Sequence, residues 1–244
     1  MVRFDAYSAS NSIGAGHTEN QDSYLAEMST MLFAVADGVG GYQGGKEASE
    51  LAVAALRNRA GMMQNESAIK SALVDINEQL IHTAKARHFP NMGTTIALAK
   101  VLPNYQTGAG GTVITANVGD SPILYFSKSE TDFGSESYRK VFTDDSFRDR
   151  APGSTWAIVQ YLGIESQEVD VHVQSFPFQN GDVILICSDG VSDNLLGENT
   201  YSRGTGAGDI EELVRRNGSA QKIVDEAMRA GIKRDDMTAV LVFL

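Results

Sequence analysis

Residues 31–49 read MLFAVADGVGGYQGGKEAS, and the rest of the chain is best understood outward from them. The apolar run Met31 to Ala36 is short enough for a buried strand, and it ends on a carboxylate, Asp37. Glycines at 38, 40, 41, 44 and 45 follow, and helix-forming composition begins near Lys46. An acid at the tip of a buried strand has a rigid support, and glycines let backbone come close to whatever the loop holds. Two readings compete for such a loop. One is a phosphate cradle: Gly40-x-x-x-x-Gly45-Lys46 matches most of a P-loop in a strand–loop–helix context. It departs at Glu47, where a magnesium-holding Ser or Thr is needed, and Asp37 lies too early for that motif. The other reading is a metal site.

Further strand ends favour the metal. Asp189 closes the run Asp182 to Ser188, and Asp120 follows Thr112 to Gly119. Asp235 and Asp236 precede the strand Met237 to Leu244, and Asp22 lies in Asn20-Gln-Asp-Ser. A carboxylate at a buried strand end is costly unless a cation or hydrogen bonds compensate it. One such Asp is ordinary turn chemistry, whereas several spread along the chain point to a shared acidic cluster. Hard oxygen donors without His or Cys select Mg²⁺ or Mn²⁺ over zinc.

The motifs Glu19-Asn-Gln-Asp22, Val35-Ala-Asp-Gly-Val-Gly-Gly41, Gly93-Thr-Thr95, Ala116-Asn-Val-Gly-Asp-Ser121, Cys187-Ser-Asp-Gly-Val-Ser-Asp193 and Arg234-Asp-Asp-Met-Thr238 occur in that order. Together they resemble the metal-dependent protein phosphatases of the PPM family, the type 2C Ser/Thr phosphatases. The resemblance implies an α+β fold, a four-layer α/β/β/α sandwich of two face-to-face antiparallel sheets with helix pairs outside. It implies hydrolysis of phosphoserine and phosphothreonine in proteins by a hydroxide activated between two Mn²⁺ or Mg²⁺ ions. By the same resemblance Asp37 bridges the ions and the Gly38 carbonyl reaches one of them. Asp189 and Asp235 bind the other, Asp22 acts through bound water, and Asp120 and Asp193 match a weaker third metal site. Asp236 stands where Asn is usual and is expected beside the ligands rather than among them.

Two departures bear on substrate. His17 occupies the position, five before Asp22, where the family commonly has a phosphate-binding Arg. Imidazole is partly charged at neutral pH and lacks the guanidinium fork, so weaker phosphate binding that improves toward mildly acidic pH is expected. The segment 143–163 is shorter than the flap usual in the family, and Asp145 stands where a His is frequent. Arg148 and Arg150 in this segment are read as surface charges and Trp156 as a packing anchor, as are His82, His88 and His172 as structural residues.

Composition sets the outer limits. The chain has 244 residues, 42% of them hydrophobic, enough for a sizeable core, and motifs running end to end argue for a single catalytic domain over 1–244. A formal charge of −11 argues against nucleic acid or an anionic membrane surface as the partner. The single cysteine, Cys187, lies in an apolar strand and reads as a buried structural thiol. With no apolar leader and no run of membrane-spanning length, a cytoplasmic protein is expected, and a monomer. The resemblance implies a kinase-phosphorylated protein as its substrate. Helices are expected over 46–60, 67–88, 209–217 and 219–230, with strands between, and 143–163 is expected to be irregular. A binding module that has lost catalysis and a P-loop nucleotide hydrolase are the competing functions.

Overall fold

Apolar residues on both faces of the central strands decide the architecture. The structure, a computed structural model, describes residues 2–10, 19–39, 43–89, 92–128, 138–148, 156–165, 167–196, 210–214 and 218–244. In chain order the elements are β1 (Arg3–Ser10), β2 (Ser23–Glu27), β3 (Leu32–Ala36), β4 (Gly38–Val39), α1 (Gln43–Arg59), α2 (Glu66–Arg87) and β5 (Gly93–Thr94). Then come β6 (Ile96–Pro103), β7 (Gly111–Val118), β8 (Ile123–Phe126), β9 (Arg139–Lys140), β10 (Ser146–Arg148), β11 (Trp156–Ile158), β12 (His172–Phe178) and β13 (Val183–Cys187). The chain closes with α3 (Asp189–Leu196), α4 (Ile210–Glu212), α5 (Ala220–Ala230) and β14 (Asp236–Phe243).

Two five-stranded antiparallel sheets form, ordered β1-β14-β13-β8-β9 and β12-β7-β6-β3-β2. Alternation divides each central strand between two cores. In β3, Phe33 and Val35 face the other sheet, while Leu32, Ala34 and Ala36 face the helices α1 and α2. In β13, Ile184 and Ile186 face inward, and Val183, Leu185 and Cys187 pack beneath α3 and α5. The three cores therefore separate four layers, helix–sheet–sheet–helix, as the resemblance implied. Strands covered on both faces read as continuous apolar runs, and this is why 31–36 and 183–187 look alike in sequence.

The expected helix over 67–88 is α2, capped by the Asn65 side chain, which accepts the Ala68 N–H at 2.9 Å. Its apolar stripe Ile69, Leu73, Ile76 and Leu80 is buried in the outer core. Three expectations need correction. The first helix begins at Gln43 rather than near Lys46, because Gly44 and Gly45 lie inside its opening turn. The segment 143–163 carries the hairpin β10–β11 instead of being irregular throughout. The second helix pair is built differently: α3 starts directly at Asp189, where Asp-Gly reads as a turn, and packs beside α5. Of the helix expected over 209–217, α4 covers Ile210–Glu212, and residues 215–217 lie outside the described set.

Candidate active site

Asp37 leaves the end of β3 and is held by its backbone. Its N–H donates to Thr95 Oγ1 at 3.0 Å, and its carbonyl accepts the Thr95 N–H and the Thr94 hydroxyl, each at 2.8 Å. The Thr95 and Ser121 hydroxyls meet at 2.7 Å, tying the loop of Asp120 to the same frame. Thus Gly93-Thr-Thr95 and Ser121 are the fixtures that aim two of the acids. Gly38 pairs with Thr94 across the short β4–β5 ladder. A Cβ on Gly38 would lie 2.5 Å from the Gly45 carbonyl carbon, so glycine here permits α1 to press directly on β4.

This close packing accounts for the glycines at 38, 44 and 45 without a phosphate cradle. A Cβ on Gly44 would lie 3.2 Å from Met92 Cα. The Lys46 ammonium donates to the Asp22 carbonyl at 3.1 Å and faces Glu50 at 3.4 Å. Gly40, Gly41 and Tyr42 lie outside the described residues, as do His17 and Arg150.

Asp22 is buried, 3% exposed, between the two sheets' ends. Asn20 Oδ1 accepts its N–H at 2.8 Å, forming the local turn that presents the carboxylate. Ser188, one residue before Asp189, donates its hydroxyl to Asp22 Oδ2 at 2.8 Å. Asp236 accepts the Gln21 N–H at 2.7 Å, and its own N–H donates to Asp235 Oδ1 at 2.9 Å. The motif around Asp22 and the motif around Asp235 are therefore bonded to each other, 215 residues apart.

Asp189 opens α3, and Asp193 follows one turn later on the same face. Between them and Asp235 stands a cation that the sequence reading missed. The Lys233 ammonium lies 2.5 Å from Asp189 Oδ2, 2.8 Å from Asp235 Oδ2 and 3.3 Å from Asp193 Oδ2. Its backbone is held by buried Asn194, whose Oδ1 accepts the N–H groups of Ile232 at 2.6 Å and Lys233 at 2.9 Å. The Asn194 amide donates to the carbonyls of Gly190 at 2.7 Å and Lys233 at 3.0 Å. A lysine two residues before Asp235 was the available signal, and it is weak.

The loop of Asp120 has a second anchor. Gly119, at φ 105, donates its N–H to Asp145 Oδ2 at 2.9 Å. His172 Nε2 meets Asp145 Oδ1 at 2.9 Å. His172, read from sequence as structural, thus pairs with the acid found where the family often has His.

Burial, and then crowding, raises the proton affinity of these acids. Burial, followed by repulsion from Asp22, Asp189, Asp235 and Asp120, holds the Asp37 carboxyl well above the usual carboxylate range. Burial pushes Asp22 up to about 7 against the opposing bonds from Thr238 and Ser188, with Asp236 and Asp189 adding repulsion. Burial and Asp189 push Asp193 to about 7 although Lys233 opposes them. Asp120 and Asp235 are raised chiefly by burial as well, and the surrounding acids hold the Lys233 ammonium firmly protonated against the cost of burial.

These residues suit a hard divalent cation. Asp22 Oδ1 and Asp189 Oδ1 are buried oxygens with no hydrogen-bond partner among the described residues. An orphaned buried carboxylate oxygen is costly unless an ion completes it. Among the described residues, no group of three or more acidic, His or Cys side chains is left open to hold an ion as the chain stands. Lys233 stands among three of them instead.

The sequence profile of the protein phosphatase 2C family matches residues 13–230. The serine/threonine phosphatase stp of Listeria monocytogenes is 28% identical over 198 residues, covering 75% of this chain and 73% of that protein. The crystal structure of the Mycobacterium tuberculosis serine/threonine phosphatase PstP/Ppp superposes with a TM-score of 0.76 at 22% identity, over 100% of this chain and 98% of that one. A structure of the PstP catalytic domain in complex with two manganese ions gives 0.71 at 23% identity, over 99% and 97%. Strand-end aspartates brought to one end of a four-layer sandwich, in a sequence matched by that profile over most of its length, lead to one conclusion: the chain belongs to the protein phosphatase 2C family.

Proposed function

We propose that Asp37, Asp189 and Asp235, with the Gly38 carbonyl and with Asp22 through water, hold the two divalent ions with which this protein serine/threonine phosphatase works. Asp120 and Asp193 are assigned to a weaker third position. Mn²⁺ or Mg²⁺ held there supplies the positive charge that lowers the proton affinity of a water and offsets charge on the transferring phosphoryl oxygens.

The chain's own residues do the positioning. Thr94 and Thr95 fix the Asp37 backbone at the end of the strand. Ser188 orients Asp22 by its hydroxyl, and the Gln21–Asp236 bond keeps the two motifs in register. Burial, and after it mutual repulsion, disfavours the ionised acids without metal, and this is offset when positive charge is supplied. His17 is assigned to the substrate phosphate, on its position five residues before Asp22.

The observation that carries the reading is the pair of orphaned oxygens on Asp22 and Asp189, which are far apart in sequence and share the Ser188 segment. The two-manganese complex of the PstP catalytic domain supports the ion count. The substrate is a phosphoprotein made by a Ser/Thr kinase, a reading supported by the name of the Listeria relative. One catalytic domain over 1–244 is supported by the pairing of the first strand with the last, β1 with β14. No helix among the described residues is long and apolar enough to cross a membrane.

The test is hydrolysis of a phosphothreonine peptide with Mn²⁺, with Mg²⁺ and with EDTA, beside Asp37→Asn. Turnover that needs the ion and falls to background in the variant is expected. Turnover that persists in EDTA would overturn the metal assignment, and none under any condition in folded protein would overturn the activity.

A further inference from the structure

Lys233 belongs to no part of the chemistry described above, yet it lies closest to its acids. Three carboxylates, two on α3 and one just before β14, converge on its ammonium at 2.5, 2.8 and 3.3 Å. Two of the three, Asp189 and Asp235, are acids assigned to a core ion. Lys233 holds Oδ2 of Asp189 while Oδ1 has no hydrogen-bond partner among the described residues, so a divalent ion on Oδ1 would share that carboxylate with the ammonium, and two cations so close repel.

The lysine is delivered there by construction rather than by a flexible tail. Asn194 makes four hydrogen bonds, three of them to the backbone of Ile232 and Lys233 and one to Gly190. Gly231, in the left-handed region at φ 63, closes α5 and turns the chain toward the site. The turn is nonetheless superficial: Ile232 is 52% exposed, and the Lys233 side chain is 35% exposed. The four-carbon stem therefore has solvent beside it into which the head can swing while the backbone stays bonded to Asn194.

We propose that Lys233 is a tethered counter-cation that holds the Asp189–Asp193–Asp235 oxygens in the metal-free protein and is displaced when Mn²⁺ or Mg²⁺ enters. This rests on the two-ion reading of the site. Lys233 makes the metal-free fold tolerable by neutralising part of the repulsion, and it raises the concentration of ion needed to load the site. The enzyme is consequently tuned to respond to divalent ion concentration through a residue outside the set of acids assigned to the ions.

The experiment is calorimetric titration of Mn²⁺ into metal-free wild-type protein, Lys233→Met and Lys233→Arg, together with thermal melting of each in EDTA and in saturating Mn²⁺. Lys233→Met should bind Mn²⁺ about tenfold more tightly or better, since the competing charge is gone. It should melt lower than wild type in EDTA and match it in Mn²⁺, whereas Lys233→Arg should keep the wild-type affinity to within a few-fold. A merely structural lysine would lower melting in both conditions and leave affinity unchanged. If Lys233→Met does not fold without metal, Lys233→Gln takes its place in the titration. Wild-type binding with unchanged or weaker affinity in the neutral variants overturns the role of Lys233 alone. Absence of Mn²⁺ binding in every protein overturns the metal site with it.

Discussion

Removing divalent ions should make this protein less stable as pH rises through neutrality, and the size of the effect follows from Asp22. Its carboxyl titrates near 7 in the fold against 3.8 unfolded, first because it is buried and then because Asp236 and Asp189 repel its charge. The folded state thus holds the proton more tightly than the unfolded chain. The contribution is fully present below about pH 4 and is lost as pH rises through about 7. A difference of roughly 3 pKa units amounts to about 4 kcal/mol. For a chain of this size, at about 2–4 °C per kcal/mol, that is a drop in Tm of roughly 8–16 °C between the two ends of the window. Differential scanning calorimetry in EDTA at pH 5 and pH 8 captures about two-thirds of it, about 3 kcal/mol or roughly 5–11 °C, with Asp22→Asn as the comparison that has no proton to lose. In Mn²⁺ the fall should disappear, because the ionised form is then the stable ligand. A wild-type Tm in EDTA that does not fall relative to Asp22→Asn between these pH values would refute the reasoning.

Two other perturbations separate positioning from binding. His172→Ala removes the partner of Asp145, which is 8% exposed, and should cost about 1–3 kcal/mol in urea unfolding, with a weaker hold on the Gly119–Asp120 turn. A loss below about 0.5 kcal/mol would show that the pair does not support the turn. His17→Arg should lower KM for a phosphopeptide with kcat little changed, because a guanidinium offers a charged fork at neutral pH. An unchanged or higher KM would remove His17 from the phosphate site.

Much of the site was legible before any tertiary structure. The acids announced themselves locally: Asp37 and Asp189 by following apolar runs, Asp120 and Asp235 by flanking strands, Asp22 by its place in Asn20-Gln-Asp-Ser. Apolar runs without polar alternation likewise stated that β3 and β13 are covered on both faces. Helix α3 was not legible, because the same Asp-Gly that ends β13 also starts a helix, and eight residues carry too few periods to outweigh a turn signal. Nor were the pairings that aim the acids. Ser188 with Asp22, Gln21 with Asp236, Asp145 with His172 and Lys233 with Asp189 join residues 27 to 215 positions apart. Periodicity reports which face of its own element a side chain takes. Which distant faces then meet is decided by sheet order, here β14 beside β13, and by the closure of two sheets on one core. Lys233 shows the difference most plainly: in sequence it is a charge in a turn, and only the packing of α3 against β14 turns it into the cation at the centre of the acids.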